Sequence, residues 1–192
     1  PSKEQVEKFA EFYDLDKNKL ITSWLSDQIA NTILYEENIG EVLKVAEEKA
    51  IDSIIKSNPE KKYLTSEKGY WYTYEIQNQQ DTLRPKRGDV AFFDYEIFDL
   101  KGNIIYTALE LRPQNYLVDK QEIMIGLRDG IKLMRKNEKV SFLFPSHIAY
   151  GYLGDKNRIG PNVPIICTVT LTDFEKETEL KKIKNENNSN NQ

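Results

Sequence analysis

The stretch PSHIAYGYLG, Pro145 to Gly154, holds two tyrosines, two glycines and the only histidine, His147, of a 192-residue chain. Tyr150 lies between Ala149 and Gly151 on a loop between two runs that read as strands, where an aromatic ring is not normally wanted, so a functional use is one reading of it. It can equally serve as a lid over the edge of a core, and the residues alone leave both uses open. One histidine argues against a histidine triad or zinc site, and the single cysteine, Cys167, excludes an internal disulfide and any cysteine-based metal site. Chemistry in this chain is not expected to rest on an imidazole proton shuttle, a metal or a cofactor.

The composition sets further bounds. Hydrophobic residues make up 39% and charged residues 30%, a globular balance, and no apolar run is long enough to span a membrane. With a net charge of −4 there is no electrostatic footprint for nucleic acid. The acids concentrate in residues 1–58 and the remainder is near neutral, as expected of an acidic appendage on a separate domain. The chain opens on Pro1 rather than Met, the expectation for a processed form whose leader or lipid-attachment cysteine lies upstream.

The elements that must position Tyr150 follow from periodicity. Residues 1–58 read as helical: Val6, Phe9, Ala10 and Tyr13 share a face, and Leu20 to Tyr35 continues it. A break is expected at Asn38-Ile39-Gly40. A further helix, 41–56, places Leu43, Ala46, Ala50, Ile51 and Ile54 on one stripe. From Gly69 the period changes to two. Strands are predicted over 70–76, 90–97, 104–107, 114–118, 138–144 and 165–171, with turns at 84–89 and 100–103. Ile123, Leu127, Ile131 and Met134 predict one short helix. The boundaries are 1–58 for a helical extension, 59–178 for an α+β domain and 179–192 for an asparagine-rich, disordered tail.

These landmarks resemble a family. PKRGD (85–89), a strand carrying Tyr95, Lys101-Gly102, DKQEIMIGLRDGIKLM (119–134), AYG (149–151) and IGPNVPIICTVTL (159–171) follow the order found in FKBP-type peptidyl-prolyl isomerases. The resemblance covers about 70–174 and implies an antiparallel half-barrel sheet wrapped over one short helix. The helical N-terminus is similar to long exported members that dimerise through helices. EEKAIDSIIKSNP (47–59) and 118–134 resemble the gliding-motility-associated FKBP-type lipoproteins. That likeness implies a periplasmic, lipid-anchored envelope protein with proline-containing polypeptides as substrates, motility proteins as partners and a homodimer through the N-terminal helices.

Carried over by position, the resemblance makes Tyr150 the hydroxyl donor to the carbonyl before proline and Tyr95 a wall of the pocket. Ile123 is an aliphatic wall, Met124 supplies a backbone N–H to a ligand carbonyl, and Ile159 closes the site. Elsewhere the pattern is broken. Ile105-Tyr106 stands where Phe-Asp is usual, Leu127 where a tryptophan floors the pocket, Gln114 for a wall phenylalanine and Cys167 for a last-strand phenylalanine. Cys167 reads as core packing and His147 as a surface residue, while Tyr152 and Leu153 could partly rebuild the apolar surface. Two functions follow: an isomerase of reduced turnover, or a binding or chaperone module that kept the fold and lost most catalysis.

Overall fold

The structure, a computed structural model, describes residues 1–35 and 39–176, without the side chains of 29–35 and 39. The tail 179–192 and Asn38 of the expected break lie outside the described residues. The chain divides into two compact units, 1–43 and 44–192.

The first unit begins with α1, Lys3–Phe12, and α2, Lys17–Tyr35. Ser2 and Gln5 start α1 with a reciprocal capping box, each side chain bonding the other's backbone N–H. Val6 and Ala10 form its buried stripe. The helical run does not continue smoothly into α2. Asp14 takes a left-handed φ of 51°, and the Asp16 carboxylate accepts the Lys19 N–H at 3.0 Å to start the second helix.

Helix α3, Ile39–Ser57, already includes Ile39 and Gly40 of the expected break. Its inward stripe also differs from the one predicted: Ala46 and Ala50 are exposed, while Glu47 and Ile51 are buried. Glu47 is tolerated there because its carboxylate accepts both the backbone N–H (2.7 Å) and the hydroxyl (2.6 Å) of Ser146. Those bonds place the C-terminal part of α3 with the second unit, whereas the sequence reading set the boundary after it.

Among the described residues the sheet has seven strands, one more than predicted, the addition being two residues long. They are β1 Leu64–Thr65, β2 Trp71–Ile76, β3 Asp89–Phe98, β4 Ile104–Tyr106, β5 Gln114–Leu117, β6 Lys139–Phe144 and β7 Ile165–Lys176. The order is β1-β2-β6-β7-β3-β4, with β5 also on β3, and every pairing is antiparallel. Register aligns Tyr72, Phe142, Cys167, Ile97 and Tyr106 in one cross-strand row, and Tyr74, Val140, Val169 and Tyr95 in the next. Directly opposed residues share a face, so these rows line the side that holds the core.

Helix α4, Ala108–Leu111, starts from a Thr107–Glu110 capping box. Helix α5, Ile125–Gly130, runs on into a 3-10 turn, Ile131–Leu133. It is shorter than the predicted stripe: Ile123 precedes it and Met134 follows it, although Leu127, Ile131 and Met134 are all buried. The helix lies backbone-first on β6. A Cβ added at Gly126 would come within 2.7 Å of the Phe144 ring, and one at Gly130 within 2.8 Å of Phe142. Those two rings stack on each other at 5.3 Å. Four residues of helix rise match two residues of strand, so each glycine meets one ring.

Gly126→Ala is therefore expected to lift α5 off the sheet and to cost about 1–3 kcal/mol, as overpacking does in a filled core. A fall in the urea midpoint checks it; an unchanged midpoint would mean that Phe144 yields freely.

Candidate functional site

The loop after β6 folds as two 3-10 turns, Ser146–Ile148 and Gly151–Leu153, with Ala149 and Tyr150 between them. Its shape needs glycine at two places. Gly151 has φ 62° and Gly154 φ 63°, and a Cβ on Gly154 would collide with the backbone of Ile159 and Gly160. The Glu47 carboxylate holds the start of the loop through Ser146. Asp155 holds its end, accepting the N–H groups of Asn157 and Ile159 at 2.8 Å each and donating its own N–H to the Ile159 carbonyl at 3.0 Å. His147 is exposed, as are Tyr152 and Leu153.

Tyr150 is half-buried and packs against the core cluster, as do Tyr95, Ile105, Tyr106, Ile123 and Met124. Burial pushes its phenol pKa well above the ordinary value, with Tyr95, Cys167, Asp155 and Tyr106 adding to the shift through space. Tyr95 is raised by burial and by Cys167. Both rings therefore hold neutral O–H groups across the working pH range. Among the described residues neither hydroxyl has a hydrogen-bond partner, and neither does the N–H of Met124 at the start of α5. The Tyr150 and Tyr95 phenols are near enough to act on each other through space.

Three other residues lie deeper. Leu127 is 1% exposed, Ile159 2% and Cys167 0%, and burial pushes the Cys167 thiol far up. Cys167 faces Phe142 on one side and Ile97 on the other, a core position. Gln114 turns its amide back on its own chain, donating to the carbonyls of Leu111 (2.7 Å) and Arg112 (3.0 Å). It ties off the end of α4.

The loop also meets β4 and α4. The Tyr106 hydroxyl donates to the Asp155 carboxylate and accepts from the Asn157 amide at 2.9 Å. The Arg158 guanidinium stands 4.8 Å over the Tyr106 ring, donates to the Ile105 carbonyl at 2.7 Å and pairs with Glu110 at 2.7 Å. The family pattern drew attention to a carboxylate lost at position 106, yet Asp155 brings one to that hydroxyl from the facing loop. Gly154-Asp155-Lys156-Asn157 is turn-forming composition, a signal for the loop but not for its contact with β4.

Residues 81–172 match the family described as FKBP-type peptidyl-prolyl cis-trans isomerase. The match spans β3 to most of β7, with α5 between them. A probable FKBP-type peptidyl-prolyl cis-trans isomerase, FkpA, of Neisseria meningitidis is 24% identical over 98 residues, covering 51% of this chain and 36% of the relative. A probable FKBP-type peptidyl-prolyl cis-trans isomerase of Haemophilus influenzae is 25% identical over 116 residues, covering 60% and 46%. The chain thus aligns with less than half the length of either curated relative. In fold it is similar to the crystal structure of FkpA from Escherichia coli, with a TM-score of 0.56 and 22% identity over 92% of this chain and 83% of that one. The matched stretch carries the sheet-over-helix arrangement and the loop that bears Tyr150.

The contact between loop and α4 has a predictable pH dependence. Arg158, then the Thr107 N–H and hydroxyl, hold the Glu110 carboxyl at about 2. Such a depressed group contributes its full stabilisation above the ordinary carboxylate pKa and loses it as pH falls from about 4.5 towards 2. Faster amide exchange at Thr107 is expected across that window and not above it. Exchange independent of pH there, after correction for the intrinsic rate, would rule the latch out.

Proposed function

We propose that the FKBP-type domain catalyses cis–trans isomerisation of Xaa-Pro bonds by non-covalent means. The observation that supports this reading is that the Tyr150 and Tyr95 hydroxyls and the Met124 N–H carry no hydrogen bond among the described residues, while all three residues pack against the core cluster. Rotation about the bond meets a barrier of about 18–20 kcal/mol because the amide is conjugated. Lowering it requires a dry seat for the proline ring and donors that favour the twisted amide over the planar one. In this reading Tyr150 donates to the carbonyl preceding proline, Met124 N–H to a second substrate carbonyl, and Tyr95, Ile123, Ile105 and the Tyr106 ring form the walls. Leu127 floors the seat with Cys167 behind it, and Ile159 supports the loop from beneath. A leucine offers less flat area than an indole for a proline ring, so turnover is reduced.

Exchange spectroscopy on a short Leu-Pro peptide tests this directly. The wild-type chain is expected to speed cis–trans exchange, Tyr150→Phe to slow it about tenfold or more, and Leu127→Trp to raise it. Peptide shifts without any acceleration would favour the binding reading instead.

That second reading, a binding or chaperone module, is supported by the first unit. A groove of about 560 Å³ runs there past Val6, Phe9, Leu20 and Trp24, and the Trp24 indole N–H is buried without a partner among the described residues. Phe9, Phe12, Tyr13, Leu15 and Leu25 are exposed, and the same apolar surface would serve a homodimer. A periplasmic, lipid-anchored place beside motility proteins rests on the sequence resemblance alone. No helix among the described residues is long and apolar enough to cross a membrane. In a Trp71→Phe background, Trp24 emission is expected to shift on adding an unfolded polypeptide. Emission that moves only with protein concentration would assign the surface to self-association.

A further inference from the structure

We propose that Asp155 is a positioning residue for Tyr150, acting through Tyr106. The proposal uses the isomerase reading only for its rate measurement.

The Tyr150 hydroxyl has no hydrogen bond to the protein among the described residues, so its ring must be aimed by the backbone on either side. On the C-terminal side that backbone is organised by one carboxylate. One Asp155 oxygen accepts the N–H groups of Asn157 and Ile159, and the other accepts the Tyr106 hydroxyl. The Asn162 N–H donates to the Gly151 carbonyl at 2.9 Å and closes the turn next to Tyr150. Tyr106 stands opposite Ile97, two residues along β3 from Tyr95. A single side chain therefore fixes the loop bearing one tyrosine to the strands bearing the other. Arg158 adds a second attachment to the same strand and to α4.

The chemistry calls for a carboxylate and not an amide. The Tyr106 oxygen already accepts from the Asn157 amide, so its proton must go to an acceptor. An asparagine at 155 would satisfy either the two backbone N–H groups or the Tyr106 proton, and would turn its NH₂ on the other. The loop would keep its fold but lose its registration against β4, and displacements of that kind reach the catalytic rate.

The test uses the full chain in a double-mutant cycle of Asp155→Asn and Tyr106→Phe, with exchange kinetics, unfolding midpoints and NMR of ring-labelled tyrosine. Each single change is expected to lower kcat about tenfold at unchanged KM, the loss of one charge-assisted hydrogen bond. The double variant should fall no further, because both act on one contact. The Tyr150 ring signals should move in all three variants. Additive rate losses, or Tyr150 signals that stay put in both single variants, would overturn the proposal. If wild type has no turnover the isomerase reading fails, and the Tyr150 signals still decide the positioning.

Discussion

The backbone of α5 pressed on two stacked phenylalanine rings is the contact on which the rest of the domain depends. Gly126 meets Phe144 and Gly130 meets Phe142, at distances that leave no room for a side chain. Tyr70 closes the other side, its ring 5.2 Å from Phe144 and its hydroxyl bonded to Asp129 of the same helix at 2.8 Å. The helix is thereby fixed in height and in rotation over the sheet. Its N-terminal end then decides where Ile123 and the Met124 N–H stand. Interiors packed to crystal-like density transmit such constraints, because no neighbour can shift alone.

The function supported here suits a chain poor in reactive side chains. A proline amide is isomerised by holding its carbonyl and drying its ring, and no group changes its covalent partners. What the protein must supply is a neutral donor that keeps its proton and is not spent on an internal bond. Burial serves both ends for Tyr150: it raises the phenol pKa and leaves the hydroxyl waiting for an acceptor.

Two carboxylates remote in sequence hold the ends of the loop that bears Tyr150. Glu47 reaches Ser146 from a helix 99 residues earlier in the chain, and Asp155 joins the loop's far end to β4. A loop fixed only by its own turns would sample many positions of Tyr150. Tied to a helix and to a sheet edge, it moves with rigid elements, which is the condition for a pre-organised site.

Much of this was legible in the sequence. Alternation at 90–97 and 165–171 determined β3 and β7, because only a strand puts Phe93, Tyr95 and Ile97 on one face. The ordered landmarks from Pro85 to Leu171 carried the family resemblance, and residues 81–172 match that family. Local pattern failed where a distant partner rewrote the rule. A glutamate on an apolar helix stripe looks exposed until Ser146 is brought to it. Ile123 continues a helical spacing but stops short of the helix. Asp155 looks like turn composition until the fold lays Tyr106 against it. Periodicity reports which face an element buries, since that depends on neighbours three or four residues away. Which polar group meets which depends on contacts across 49 to 99 residues, and only the tertiary structure decides those.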